Sequence, residues 1–270
     1  MVAYRARVRS ALYVPPFGEL ADPHALVAVG RACEDAGYDG LFLWDHMWRP
    51  GGPVDDVADV WVALAAVAAA TTRLVVGPMV VPLARRRPQK VARESVTLDR
   101  LSRGRLVLGV GLGVDTGGEL GRLGEETDAR ARGDALDEAI EVLFALWSGE
   151  VVHHHGARFT ADAVRFLPRP WQSPRIPVWG AARGESPPRT IRRAARLDGL
   201  FPVRTSTAQL ASMLELVADA RGSLEGFDVA YAGEGAADEL EALGVTWRLL
   251  ALDEGTTADE AVAKARAGPR

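Results

Sequence analysis

Short apolar runs alternate with longer amphipathic segments along the whole chain. The apolar runs are rich in Val, Leu and Ile and mostly lack polar alternation, which is typical of strands buried on both faces of a parallel sheet. They predict eight strands, beginning near Ser10, Asp39, Arg73, Arg105, Ile176, Asp198, Asp228 and Thr246. A helical pattern follows each strand. The first of these helices has Asp22 as its N-cap, Pro23 at its first position and a stop at Gly37.

Eight strand–helix units in 270 residues predict an α/β fold, a (β/α)8 TIM barrel. A doubly wound open sheet is the alternative. No linker or low-complexity block separates the units, so a single domain over residues 1–270 is expected. Two segments predict additions to the barrel: a polar, Gly-rich loop from Val114 to Gly133 after the fourth strand, and a short hairpin within residues 149–175 before the fifth.

Composition excludes several classes of partner. The formal charge of -4 disfavours a nucleic-acid partner, although Arg85, Arg86 and Arg87 form a short basic cluster. The longest apolar run is shorter than the roughly 20 residues of a membrane span, and the single cysteine fits a reducing compartment, so a cytoplasmic location is expected. Residues 153–155 are three consecutive histidines, whose side chains alternate in direction on an extended segment; no metal site is therefore expected.

The second predicted strand runs into the sequence LFLWDHMWRPGG, which is unusually rich in functional side chains for a strand end. Barrel enzymes place their reactive groups at the carboxyl ends of the strands. His46 is therefore a candidate proton donor or acceptor with Asp45 as its neighbouring carboxylate, although adjacent strand residues point to opposite faces. Trp44 and Trp48 would supply flat apolar walls for a planar ligand. The alternative is a buried structural histidine between two core tryptophans.

Three other strand ends carry Gly or Pro. The sequence VGPMVVP, residues 76–82, predicts a bulge or an unusual peptide bond. The glycines from Gly109 to Gly113 leave backbone open to a flat cofactor, or form a tight turn. In WGAARGESPP, residues 179–188, the backbone N–H groups and Arg183 could hold a phosphate; a capping loop with Ser186 as the N-cap is equally compatible with the sequence.

Taken together, three segments resemble the luciferase-like monooxygenase superfamily, whose members are (β/α)8 barrels that use FMN or the deazaflavin F420. The segments are GYDGLFLWDHMW, TTRLVVGPMVVPLARRRPQKVARESVTLDRLSRGRLVLGVGLG and PRIPVWGAARG with RRAARLDGLFP, and the resemblance runs from about Ala11 to Phe201. It implies that His46 faces the deazaflavin ring and that a non-prolyl cis peptide joins Met79 to Val80. It also implies cofactor contacts from the fourth and fifth strand ends, namely Gly111, Leu112, Gly113, Gly180, Ala181, Ala182 and Arg183.

The resemblance also has departures. Sugar-phosphate dehydrogenases of the F420 branch carry a catalytic Glu directly after the fourth-strand glycines, where this chain has Val114 and then Asp115. A glucose-6-phosphate reaction is therefore not expected, and Trp44, Trp48, Val114 and Asp115 are assigned to a substrate pocket. The predicted function is hydride transfer with F420, or monooxygenation with FMNH2 and O2, on a small organic substrate.

Other possibilities stay open at this stage. The alternative to an enzyme is a non-catalytic flavin-binding or structural paralogue. The resemblance implies a homodimer, and a separate flavin or F420 reductase would supply the reduced FMN or F420.

Overall fold

The computed structural model describes residues 7–49, 51, 56–184 and 186–269, and its architecture is the predicted barrel. All eight predicted strands are present, the third in two segments. The barrel strands are β1 (Arg9–Val14), β2 (Gly40–Leu43), β3 (Val75–Pro78), β4 (Val81–Pro82), β5 (Leu108–Gly111), β8 (Val178–Ala182), β9 (Gly199–Pro202), β10 (Asp228–Tyr231) and β11 (Trp247–Ala251). They are parallel, in the order β3-β2-β1-β11-β10-β9-β8-β5-β4. A separate antiparallel hairpin contains β6 (Val151–His155) and β7 (Thr160–Arg165).

Helices cover the outside of the barrel, one after each barrel strand except β3, where α3 follows β4. They are α1 (Pro23–Asp35), α2 (Val60–Ala70), α3 (Pro88–Leu101), α4 (Ala129–Trp147), α5 (Pro188–Ala194), α6 (Thr207–Arg221), α7 (Ala237–Ala242) and α8 (Ala258–Arg266). Asp22 caps α1 as predicted, by accepting a hydrogen bond from the His24 N–H. Within the described ranges, no helix combines the length and the apolar character that crossing a bilayer requires.

The barrel closes between the third and fourth predicted strands, at a junction that we call the seam. Val76 pairs with Leu106, and Val81 pairs with Val110. Four residues of one strand therefore face three of the other between these two pairs, which makes a bulge. The peptide bond between Met79 and Val80 inside the bulge is cis. The sequence offered a bulge or an unusual peptide bond here, and the structure has both.

Two predicted boundaries need correction. Helix α4 begins at Ala129, so the loop after β5 ends at Asp128 and not at Gly133; the Asp128 carboxylate accepts the Ala131 N–H and thereby starts the helix earlier. Ser186 is not the N-cap of α5, because that helix begins at Pro188 with Pro187 before it and has no side-chain cap. The hairpin is where it was predicted, with residues 153–155 on β6.

Aromatic side chains fill the amino-terminal half of the barrel interior. Phe42, Trp179 and Trp247 are buried and lie with ring centroids 5.5 to 5.7 Å apart. Such tilted and edge-on contacts favour close packing of the rings. Tyr13 and Phe201 pack edge to face at the other end of the interior, towards the carboxyl ends of the strands.

A partly buried ion pair joins α4 to α5. The Arg193 guanidinium donates to both carboxylate oxygens of Asp137, at 2.5 and 3.0 Å, and to the Gly133 carbonyl oxygen at 3.1 Å. Burial alone would raise the pKa of Asp137, but hydrogen bonds and charge from Arg193 and Arg189 outweigh it and hold that pKa below its ordinary value. Folding therefore favours the ionised carboxylate.

We expect Arg193→Met to lower the free energy of unfolding at neutral pH by about 2 kcal/mol, because it leaves the Asp137 charge without its main partner. The stabilisation is present above the pH at which unfolded Asp titrates, about 3.9, and is lost as pH falls through the lower pKa of the folded protein. Urea denaturation of both proteins at neutral and acidic pH measures this. A difference that stays constant down to acidic pH would contradict the assignment.

Candidate functional site

A cavity of about 420 Å³ opens at the carboxyl ends of the barrel strands. Its wall is built from residues at or after β1, β2, β4, β5, β8, β9, β10 and β11. Binding cavities for drug-sized ligands range from about 300 to 1,000 Å³, and parallel barrels place their active sites at this end. The location and size identify the cavity as the candidate active site.

One wall of the cavity is apolar. It contains Met79 and Val80 of the bulge and the backbone of Gly111, Leu112 and Gly113. A Cβ on Gly111 would lie 3.0 Å from a Val80 methyl carbon, and Gly113 has a φ of 74°, a conformation that favours glycine. The glycines therefore place no side chain on this wall, and a planar ring can approach the backbone closely.

The polar centre of the cavity is a histidine held by a carboxylate. Nδ1 of His46 lies 2.7 Å from Oε2 of Glu119, and Oε1 of Glu119 accepts the Met47 N–H at 2.7 Å. The Glu119 side chain is 5% exposed and that of His46 is 17% exposed. With Nδ1 bound to the carboxylate, Nε2 is the ring nitrogen available to a ligand in the cavity that His46 lines.

The carboxylate of Asp45 belongs to a different pair. Its Oδ1 accepts a hydrogen bond from Arg86 at 2.6 Å and lies 3.8 Å from Nη2 of Arg85. Burial raises the pKa of Asp45, against the opposing effect of the two guanidinium groups. The expectation that Asp45 would be the partner of His46 is therefore corrected: residues adjacent in an extended segment face different neighbours, and Glu119 takes that place.

Glu119 was not predicted from the sequence. It lies in the loop after β5, which Asp115 organises by accepting the N–H groups of Leu120 and Gly121 at 2.7 and 3.0 Å. The loop residue is brought to His46 across 73 positions of the chain. No spacing rule links the two residues, and the only available signal was an acidic residue in an unusually long loop at the correct end of the barrel.

Most of the predicted site residues line the cavity, and three do not. Trp44, Val114, Ala181, Ala182 and Arg183 line it, together with Asp45, His46 and the apolar wall described above. Trp48 instead packs against Arg122, whose guanidinium carbon lies 5.4 Å from the centroid of the Trp48 ring. Asp115 is an exposed loop residue. Gly180 faces α5, because a Cβ there would lie 2.8 Å from the Ala194 Cβ.

The fifth-strand end of the cavity carries exposed basic side chains. Arg183 follows β8, and its backbone N–H donates to the Ser186 Oγ at 2.8 Å, which closes a tight loop before α5. Arg204 follows the neighbouring strand β9 and also lines the cavity. The two arginines therefore lie at one side of the cavity mouth, where they can bind an anionic group.

The family model described as luciferase-like monooxygenase matches residues 2–243. This chain belongs to the luciferase-like monooxygenase family. It is similar to the F420-dependent glucose-6-phosphate dehydrogenase of Beutenbergia cavernae, with 35% identity over 208 residues that cover 74% of this chain and 59% of the relative. The chain spans about half to three fifths of the length of the first curated relatives it matches.

Two solved structures of similar fold cover almost the whole chain. The coenzyme F420 dependent tetrahydromethanopterin reductase from Methanopyrus kandleri has a TM-score of 0.78 at 16% identity, covering 95% of this chain and 96% of that one. A monooxygenase from Streptomyces bottropensis has a TM-score of 0.78 at 18% identity, covering 96% of each chain. At these identities the likeness establishes the shared luciferase-like barrel.

Proposed function

We propose that this protein is an oxidoreductase that uses a deazaflavin or flavin, with F420-dependent hydride transfer to or from a small organic substrate as its reaction. The observation that carries the proposal is that the pair formed by His46 and Glu119 lines the same cavity as an apolar wall of Met79, Val80 and the β5 end. A similar F420-dependent dehydrogenase, from Beutenbergia cavernae, supports the choice of F420 over FMN.

The cavity residues fit a tricyclic cofactor. The bulge residues Met79 and Val80, with the backbone of Gly111 and Gly113, offer the ring an apolar surface, and Arg183 with its neighbouring backbone would hold a phosphate. When bound, such a cofactor accepts or supplies the hydride at its central ring. The protein supplies binding, orientation and proton transfer.

His46 is the proposed acid–base group. In the direction of alcohol oxidation, Nε2 of His46 accepts the hydroxyl proton while the carbinol hydrogen leaves as hydride. Burial acts to raise the pKa of Glu119, but hydrogen bonds from His46 and Met47 and the charge of Arg85 outweigh it and lower that pKa. Glu119 therefore stays ionised and stabilises the protonated imidazole that the reaction forms.

The first experiment is a parallel titration of the purified protein with FMN, FMNH2 and F420, followed by fluorescence. We expect micromolar binding of F420, and a loss of affinity of tenfold or more in Arg183→Ala, because hydrogen bonds to charged groups contribute about 1.5 to 3 kcal/mol each. Arg192→Ala is the matched control, since Arg192 is an exposed arginine of the neighbouring helix α5.

Each result decides between the candidates. Preferential binding of reduced FMN would replace hydride transfer by oxygenation at the same site. If both arginine variants bound the cofactor as tightly as the wild type, Arg183 would not be the residue that holds the cofactor phosphate. Binding of no cofactor would overturn the proposal and leave the alternative of a non-catalytic paralogue.

A further inference from the structure

The candidate active site carries more arginines than carboxylates. Four arginines line it, and the two acidic residues that line it are already engaged, Asp45 with Arg86 and Glu119 with His46 and the Met47 N–H. Arg49 is paired with Glu254, and Arg183 and Arg204 lie at the cavity mouth. The arginine that remains to be explained is Arg85, which follows β4.

Arg85 is buried and incompletely bonded. Its side chain is only 7% exposed, and among the described residues neither Nε nor Nη2 has a hydrogen-bond partner. Nη2 lies 3.5 Å from Oε1 of Glu119 and 3.8 Å from Oδ1 of Asp45. These carboxylates interact with the positive charge of Arg85 but accept no hydrogen bond from Nη2. A buried guanidinium with unused N–H groups is costly. Nε and Nη2 are buried atoms, but the Arg85 side chain lines the cavity, so a ligand oxygen that approaches the guanidinium there would be favoured.

Arg85 also lies close to the proposed acid–base group. Oε2 of Glu119 lies 2.7 Å from Nδ1 of His46, and Oε1 lies 3.5 Å from Nη2 of Arg85. A single carboxylate therefore lies between the imidazole and the guanidinium. A substrate that extends from Nε2 of His46 to Arg85 would therefore carry its anionic group within a few bonds of the reacting carbon.

We propose that Arg85 binds the carboxylate of the substrate, and that the substrate class is small hydroxy acids and the corresponding oxo acids. This inference rests on the proposed function and specifies its substrate. In the oxidative direction the carbinol C–H bond breaks and its hydrogen passes as hydride to the oxidised deazaflavin. The hydroxyl proton passes to Nε2 of His46, and the carbinol becomes a carbonyl. The carboxylate is unchanged and serves to orient the substrate.

Pairs of substrates that differ only by exchange of a carboxylate for a methyl group test this. Lactate is compared with isopropanol, and mandelate with its methyl analogue, by F420 reduction and by calorimetry on the protein with and without F420. We expect the wild type to favour the acid in each pair by tenfold or more in kcat/KM, and Arg85→Met to lose about tenfold of that ratio. Arg85→Lys keeps the charge and should retain an intermediate ratio.

Arg87→Met is the matched control, because Arg87 is exposed and directly precedes α3. Its acid-to-alcohol ratio should equal that of the wild type. Three results would overturn the proposal: no preference for the acid in the wild type, the same ratio in Arg85→Met, or a loss of F420 affinity in Arg85→Met without a change in the ratio. The last would assign Arg85 to the cofactor phosphate.

The proposal can fail separately from the proposed function. If the wild type binds no cofactor, the proposed function fails, whereas calorimetry of mandelate against its methyl analogue still reports on Arg85. Binding of mandelate that Arg85→Met abolishes would then support a carboxylate subsite in a protein without F420 chemistry. Equal binding of mandelate and its analogue would overturn the subsite.

Discussion

Glu119→Gln should lower kcat for F420-dependent turnover by about a hundredfold, in line with the 10²- to 10⁴-fold that positioned acid–base groups contribute. The amide keeps the size of the side chain and can still contact Nδ1 of His46, but it carries no charge to stabilise the protonated imidazole. Cofactor affinity should stay near the wild-type value, because the substitution changes neither the apolar wall of the cavity nor Arg183. Steady-state kinetics and an F420 titration measure the two effects.

A positioning role for Glu119 has a distinctive signature in the pH profile. In Glu119→Gln the plot of kcat/KM against pH should shift along the pH axis. A purely structural defect would instead lower kcat/KM by the same factor at every pH. Glu141→Gln, at an exposed position of α4, is the control and should match the wild type. A Glu119→Gln enzyme with wild-type kcat and an unmoved profile would show that His46 works without its carboxylate.

Gly77→Ala should destabilise the fold by about 3 kcal/mol or more, because overpacking a rigid site costs 1 to 3 kcal/mol and occasionally more. A Cβ on Gly77 would overlap the Val107 carbonyl oxygen, and backbone cannot move aside as a flexible side chain can. The affected contact lies in the seam, where Val107 donates its N–H to the Val76 carbonyl. Urea denaturation followed by far-UV circular dichroism measures the change.

Gly133→Ala is the matched control with the opposite expected sign. Gly133 lies inside α4, where a Cβ would meet only the Arg193 Nη2 at an ordinary 3.5 Å. Alanine in a helix interior is favoured over glycine by about 0.5 to 1 kcal/mol, so this variant should be at least as stable as the wild type. If Gly77→Ala were as stable as Gly133→Ala, the seam would be more adaptable than its backbone contacts indicate.

The barrel could be predicted because its pattern is local and repeated. Each strand is a continuous apolar run, and each helix has its own period and end signals, as with Asp22 and Gly37 around α1. The position of His46 followed from the same logic, since the carboxyl end of a barrel strand is where reactive groups lie. Even the bulge in the seam was indicated by Gly and Pro inside an apolar strand.

The partners of these residues could not be predicted in the same way. Asp45 was a candidate partner of His46 because the two are adjacent in sequence, although side chains alternate in an extended segment. In the structure Glu119 is the partner of His46 and Arg86 that of Asp45. Glu119 and Arg85 reach the site from a loop and from a turn after β4, so their roles depend on how those segments fold. Trp48 and Gly180 were assigned to the pocket but do not line it, for a related reason. A residue near a strand end can face the outer helices or a loop instead of the cavity.

The carboxylate that orients His46 lies in the long loop between β5 and α4, outside the strands of the barrel. Arg132 of α4 anchors the start of that loop by donating to the Leu112 and Gly113 carbonyl oxygens, and Glu119 follows a few residues later. The apolar wall thus belongs to the barrel strands and the bulge, whereas the carboxylate beside His46 is carried on a loop. Because that loop adds no strand to the barrel, a change within it can remove or replace the partner of His46 without repacking the sheet.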